Sequence, residues 1–242
     1  MSESSTHPSG IYIVDKPRFV SSTHVVRVVK RRLTNAGVAK SVKVGHAGTL
    51  DPLATGVIVV LVGKATKLCD RVMASRKEYV ADVDLSRAST TDDEEGEITE
   101  ISLLRAPDRD EVAAACSKFV GVIQQRPPAH SAVWVDGQRA YDLARKGRSL
   151  NLAARDVRID AIEIMRYEFP IVSLRVACGK GVYIRSLARD LGETLGGGGM
   201  LTSLRRTAVG PFRIEQARHL DEVPDPLPVS LLLPNSMVEE GE

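Results

Sequence analysis

Gly45-His46-Ala47-Gly48-Thr49-Leu50-Asp51-Pro52-Leu53-Ala54-Thr55-Gly56 is the stretch around which the chain is read. Its three glycines, its proline and its two threonines mark a turn or loop rather than a helix. The run that follows, Val57 to Val62, is short, β-branched and closed by Gly63, the pattern of a buried strand. A loop carried by a buried strand is rigidly supported, which suits a catalytic group. Asp51 is the candidate. Pro52 biases it towards an extended backbone, and Leu50 and Leu53 suggest apolar surroundings. The residues leave two readings open: a carboxylate acting as nucleophile or base, or a turn aspartate bonding its own backbone.

The 242 residues suit one large domain or two small ones, and a hydrophobic content of 43% excludes global disorder. Cys69, Cys116 and Cys178 are widely spaced and form no Cys-x-x-Cys or Cys/His cluster. Neither a disulfide framework nor a zinc site is indicated, and no metal or cofactor is expected. A reduced, cytoplasmic location is expected. Met1 to Gly10 lacks an apolar signal core, and the longest apolar run is too short to span a bilayer, so no membrane partner is expected. The net charge of +2 conceals segregation. Acidic residues gather at Asp92-Asp93-Glu94-Glu95-Gly96-Glu97 and after His219, whereas Arg27, Lys30, Arg31, Arg32, Lys40 and Lys43 form one of several basic groups. If the basic groups share a face, a phosphate backbone is a fitting partner. An ordinary solvated surface is the other reading.

In chain order, Ile11 to Val14 reads as a strand ending in the turn Asp15-Lys16-Pro17. A helix is expected from about Thr23 to Ala36, with Val25, Val26, Val29 and Leu33 inward and Arg27, Lys30 and Arg31 opposite. Lys64 to Ala74 and Pro107 to Phe119 read as helices. Lys77 to Leu85 alternates as a strand with Lys77, Tyr79 and Ala81 on one face. Asp92 to Glu97 is expected to be a solvated loop tip. Val157 to Phe169 and Ile171 to Cys178 alternate as two strands, broken at Pro170. The segment Val182-Tyr183-Ile184-Arg185 is expected to be extended, which would point Tyr183 and Arg185 the same way before a helix striped by Leu187, Leu191 and Leu195.

The dodecamer around Asp51 resembles the signature G-H-x-G-x-L-D-P-x-A-x-G of the TruB-type tRNA pseudouridine synthases at every fixed position. Further motifs are similar in the family's order: Lys16-Pro17; the K-x-Y pair of Lys77 and Tyr79; Gly181 to Asp190 as G-x-Y-[IV]-R-x-L-x-x-D; and Leu201 to Phe212 as L-x-x-L-R-R-x-x-x-G-x-F. The stretch Pro127 to Arg145 resembles the family's RNA-gripping segment, with His130 in place of an aromatic and Trp134 in place of a lysine. A T-D-T triplet stands here as Ser89-Thr90-Thr91.

The resemblance implies an α+β, pseudouridine-synthase-like fold: a mixed, mainly antiparallel bent sheet with flanking helices. It divides the chain into a flexible tail (1–9), a catalytic domain (10–212) with an RNA-binding insertion at about 126–152, and a short extension (213–242) without a full PUA-type domain. It implies isomerisation of uridine to pseudouridine in the tRNA T-loop, position 55 in tRNA numbering. No cofactor is needed, and a monomer acting on the T-arm is expected. It gives Asp51 the catalytic role. His46 fills or braces the space the flipped base leaves, Tyr79 lies against the base and moves the C5 proton, and Tyr183 stacks on the nucleotide. Arg185 pairs with the aspartate, and Leu204 packs on the base. Each of these residues has a plainer reading too, as packing or surface. A non-catalytic tRNA-binding or RNA-folding module on the same scaffold is the alternative for the whole chain.

Overall fold

A computed structural model describes residues 8–131, 134–135, 138–139, 141 and 152–238. In chain order the elements are β1 (Gly10–Lys16), α1 (Ser22–Asn35), β2 (Val44–His46), β3 (Thr55–Val62), α2 (Cys69–Ala74), β4 (Lys77–Asp84), β5 (Arg87–Ser89), β6 (Ile98–Glu100), α3 (Arg109–Ser117), β7 (Gly121–Gln125), β8 (Trp134–Val135), β9 (Gln138–Arg139), β10 (Arg155–Glu168), β11 (Ile171–Cys178), α4 (Ile184–Thr194), β12 (Met200–Val209), β13 (Phe212–Arg213) and β14 (Arg218–His219). This is a mixed α+β architecture in which most strand pairs are antiparallel. The RNA-gripping insertion expected at about 126–152 lies largely outside the described residues, as do residues 1–7 of the expected tail. The side chain of Trp134 is likewise outside them.

The chain forms two compact units, one from the described residues up to Glu78 together with those from Arg205 onward, the other Tyr79–Leu204. In the first, β3 is the central strand. It runs antiparallel to β1 on one edge (Val14↔Ile58, Ile11↔Leu61), and β2 meets its other edge near its end (His46↔Val60). Where β3 begins, β12 joins it in parallel (Arg205↔Thr55, Arg206↔Gly56). The apolar run Val57 to Val62 is wholly buried, as its composition requires, and its Val57, Val59 and Leu61 pack in one cluster with Ile11, Ile13, Val72, Val209 and Phe212.

Helix α1 begins where its sequence directs: the Ser21 side chain accepts from the His24 N–H at 3.1 Å. Its buried stripe is Val25, Val28, Val29 and Leu33, with Val28 rather than Val26 facing inward. The helix expected over Lys64 to Ala74 divides into a 3-10 segment, Gly63–Leu68, and the short α2.

The second unit orders its strands β12-β4-β11-β10-β7, with β10 antiparallel to both neighbours. Its core takes Ala81 and Val83 from β4, Leu85 from the turn just after it, Val112 and Cys116 from α3, Leu174 and Val176 from β11, and Leu187 and Leu191 from α4. A capping box fixes the start of α3: Asp108 accepts from the Glu111 N–H, and the Glu111 carboxylate accepts from the Asp108 N–H, each at 2.8 Å. The glycine run after α4 is a packing requirement, since a Cβ on Gly199 would stand 2.0 Å from the Ala188 carbonyl oxygen. Helix α4 starts at Ile184, so the extended segment expected through Arg185 is not formed. Tyr183 is the cap, and Arg185 lies inside the first turn.

Candidate active site

The loop holding Asp51 spans the gap between β2 and β3, and its backbone is tied on every side within the first unit. The hydroxyl of Ser22, at the start of α1, donates to the Leu50 carbonyl and accepts from the Leu50 N–H, both at 2.9 Å. On the other side of Asp51 the Pro52 carbonyl accepts from the Phe19 N–H at 2.7 Å and from Lys16 Nζ at 3.1 Å. The Ala54 N–H donates to the Asp51 carbonyl at 3.1 Å, closing a turn around the aspartate. From β12, Arg206 Nε donates to the Val57 carbonyl at 2.8 Å, while its terminal nitrogens donate to Thr49 and Gly48 carbonyls at 3.3 and 3.2 Å. Leu50 is buried and Asp51 half-buried, on a backbone held at the residues on both sides of the aspartate.

Lys16 is fully buried, and its ammonium donates to the Pro17, Val20 and Pro52 carbonyls. Burial pushes its pKa down to about 8, against an upward pull from the Asp51 carboxylate. The lysine therefore joins the turn after β1 to the residue following Asp51 and sets a positive charge within the aspartate's field. His46 sits at the end of β2, half-buried. Burial first, and the Arg206 charge second, lower its pKa, which favours the neutral imidazole at neutral pH. Its Nδ1 is buried without a hydrogen-bond partner among the described residues.

Tyr79, Tyr183, Arg185 and Leu204 all belong to the second unit. Arg185 is buried. Its guanidinium donates to the Thr91 carbonyl at 3.1 Å and the His130 carbonyl at 2.9 Å, and its Nε lies 3.5 Å from the Asp93 carboxylate. The backbone of Tyr183 is clasped by the amide of Gln125, which accepts from its N–H at 2.8 Å and donates to its carbonyl at 3.1 Å. The Arg155 guanidinium lies 5.4 Å from the Tyr183 ring centroid. Tyr79 and Leu204 are half-buried and pack against the unit's core, at the two chain ends of that unit. Lys77, two residues before Tyr79, uses its ammonium on the Met73 and Ser75 carbonyls at the end of α2, which is an anchoring role.

Arg206 is a fixed position of the L-x-x-L-R-R motif, but the likeness gives it no role; the structure makes it a support of the Asp51 loop. The acidic stretch is a solvated tip at Glu94, Glu95 and Glu97, which are exposed, but its first two residues are built inward: Asp93 is buried, accepts from the Thr91 hydroxyl at 2.5 Å and the Glu95 N–H at 3.0 Å, and faces Arg185. Asp92 pairs with Arg189 at 2.9 Å, and burial raises its pKa against the pull of Arg189 and Arg185. The basic residues spaced along α4 were a usable signal, because a buried arginine requires acceptors. Among the described residues no cluster of three His, Cys, Asp or Glu side chains is placed to hold a metal ion, and no helix is long and apolar enough to cross a membrane.

Residues 31–184 match the model of the TruB family pseudouridylate synthase N-terminal domain. The chain belongs to the TruB family. Residues 185–228 match the tRNA pseudouridylate synthase B C-terminal domain, so the TruB likeness continues through α4 and β12. Among TruB relatives, the tRNA pseudouridine synthase B of Corynebacterium aurimucosum is 44% identical over 233 residues, covering 95% of this chain and 76% of the relative. That of Thermobifida fusca is 47% identical over 222 residues, covering 88% and 74%. The fold is similar to that of a chain in a Cbf5-Nop10-Gar1 complex, with a TM-score of 0.71 and 28% identity, covering 95% of this chain and 61% of that one. A chain of an H/ACA RNP bound to a substrate RNA containing 2'-deoxyuridine gives a TM-score of 0.68 at 26% identity and covers 95% of this chain. This TruB chain spans about three fifths of the length of those solved chains.

Proposed function

We propose that this chain isomerises uridine to pseudouridine in tRNA, at position 55 of the T-loop, with Asp51 as the catalytic residue. The observation that carries the reading is the fixed backbone of the Asp51 loop: Ser22, Lys16, the Phe19 N–H and Arg206 all hold it, from α1, β1, the turn after β1 and β12. A loop so constrained holds its carboxylate ready for a bound nucleotide without reorganisation.

In the reaction the N1–C1′ bond breaks, the base turns, and a C5–C1′ bond forms. The proton on C5 is lost to solvent and N1 gains one, so no oxidant, reductant or energy source is consumed. The target base must leave its stack to reach the carboxylate. Three steps are open to Asp51: attack at C1′, attack at C6, or removal of a ribose proton. His46, held neutral, braces the space the base leaves. Tyr79, Tyr183 and Leu204 hold the nucleotide, Tyr79 also carries the C5 proton, and Arg185 supplies the counter-charge to the aspartate. The chain works as a monomer on the T-arm, in the cytoplasm, with residues of about 126–152 gripping the RNA.

The test is tritium release from an unmodified tRNA transcript labelled at uridine C5. Wild type releases tritium mapped to the T-loop. Asp51→Asn is expected to lose at least about a thousandfold in rate while binding the transcript within a few-fold of wild type. Near-normal turnover by Asp51→Asn would remove the aspartate from its role. Binding without any wild-type turnover would leave an RNA-binding module instead.

A further inference from the structure

Two residues other than glycine have a left-handed backbone among those described, Phe19 with φ 64° and Asp92 with φ 63°. Asp92 needs little explanation. Aspartate is enriched in that region, and its carboxylate is fixed by Arg189 at 2.9 Å. Phe19 has neither excuse. A bulky aromatic is a true outlier there, and its side chain gains nothing from burial, because the residue is 72% exposed. Neither the fold's core nor the backbone's preference accounts for a phenylalanine at this position.

Its surroundings point to a ligand. The Phe19 N–H donates to the Pro52 carbonyl at 2.7 Å, and Pro52 is the residue after Asp51. Lys16 bridges the carbonyls of Pro17, Val20 and Pro52, so the turn carrying Phe19 is pinned to the catalytic loop by two side-by-side links. The Arg18 guanidinium lies over the Phe19 ring, 4.9 Å from its centroid. One ring face thus carries a cation, and the exposure of the residue leaves the other open to a planar group. Three residues further on, α1 begins, with Arg27, Lys30 and Arg31 on its exposed side. An open aromatic face backed by a guanidinium, on a turn that leads into a helix with cations on its exposed side, is a pattern that can receive a single-stranded base with its phosphates.

We propose that Phe19, backed by Arg18, is a stacking platform for an unpaired base of the RNA beside the target uridine, holding the strand as its neighbour enters the Asp51 loop. The inference rests on the reading of the chain as a tRNA-modifying enzyme, and it adds a contact made by the turn after β1. The strained backbone keeps the ring out of the core and in the path of the strand.

Phe19→Gly removes the ring and suits the left-handed backbone, so the variant is expected to fold at least as well as wild type, with an equal or higher Tm. Phe19→Trp keeps a stacking face. With an unmodified tRNA transcript, Phe19→Gly should raise both Kd and KM about tenfold, within the range measured for one base stacked on one aromatic ring, while kcat stays within about twofold. Phe19→Trp should restore both. A T-arm hairpin carrying 2-aminopurine next to the target uridine should be quenched on binding wild type and Phe19→Trp, and much less by Phe19→Gly. RNA affinity, KM and quenching all unchanged in Phe19→Gly would overturn the proposal and leave the ring to a protein partner. Tritium release from the same transcript keeps the two readings apart. Release by wild type with no effect of Phe19→Gly defeats only the platform. Quenching that depends on Phe19 without release by wild type supports the platform and defeats only the enzymatic assignment.

Discussion

The ammonium of Lys16 occupies a site that would be costly for a charge were its three protons not all spent on carbonyls: those of Pro17, Val20 and Pro52. Burial still holds its pKa at about 8 in the folded chain, below the 10.5 of a free lysine. Between those values the unfolded chain binds more protons than the folded one, so stability rises with pH across that window and the burial penalty applies in full below pH 8. Urea unfolding of wild type and Lys16→Met at pH about 7.5 and about 9.5 checks this. The stability of wild type relative to the variant should increase at the higher pH; a flat or falling difference would show that Lys16 is not held in this environment. Arg185 makes the complementary case for geometry. Its planar fork meets the Thr91 carbonyl, the His130 carbonyl and the Asp93 carboxylate at once. A lysine offers one point charge and cannot span the three. Arg185→Lys should therefore lower kcat by about a hundredfold or more, while circular dichroism shows the fold retained.

At the scale of elements, the junction of the Asp51 loop with β3 depends on one glycine. Gly56 has φ 107°, and a Cβ there would stand 2.2 Å from the carbonyl oxygen of Arg206 on β12. Backbone cannot yield as a flexible side chain can, so Gly56→Ala should cost about 3 kcal/mol or more and take turnover with it, because Arg206 also holds Gly48 and Thr49. Gly45→Ala is the control: nothing lies within 4 Å of its added Cβ, and thermal melts of this variant should stay close to wild type. The same elements show what the sequence exposes. The strand β3, the helix α1 (though with Val28 rather than Val26 in its stripe) and the alternation of β10 and β11 were legible because each follows from local periodicity and composition. Tyr183 is extended, as expected, but Arg185 is helical although Val-Tyr-Ile-Arg favours a strand locally. The buried face of Leu187 and Leu191 extends back through Ile184, and the Gln125 amide clasps the backbone of Tyr183 just before the first turn. The loop at Asp92 and Asp93 was misread for a related reason: a run of acids looks solvated until the arginines that meet it are known, and those come from α4, about a hundred residues along the chain. The Asp51 loop stands out through the likeness of its motif; Arg206 is the second arginine of the L-x-x-L-R-R motif, but nothing local shows that its side chain holds that loop.

For the molecule as a whole, a net charge of +2 gives little reason to expect a nucleic-acid partner, and the division into two units had no signature because β4 and β12 each contribute residues to both. The distribution of charge is more informative than the sum. Acidic residues are partly consumed internally, Asp92 by Arg189 and Asp93 by Arg185, and Asp15 is paired with Arg205 at 2.7 Å. Arg27, Lys30 and Arg31 stand on the exposed side of α1 instead. Each cation that neutralises a phosphate releases condensed counterions, so the logarithm of the tRNA affinity should fall linearly with the logarithm of salt concentration, by roughly 0.7 to 0.9 per contact. Filter binding between about 50 and 200 mM salt gives the wild-type slope. Replacing Lys30 by Gln should weaken binding at low salt and make the slope shallower by about one contact, with kcat at saturating tRNA unchanged. Phe19→Gly should behave oppositely, because a stacking contact displaces no phosphate counterion: affinity falls by the same factor at every salt concentration and the slope is preserved. Parallel lines for Phe19→Gly and a shallower line for Lys30→Gln would separate the aromatic contact from the electrostatic one. A changed slope in Phe19→Gly would mean that the turn after β1 acts through Arg18 on the phosphates rather than through the ring.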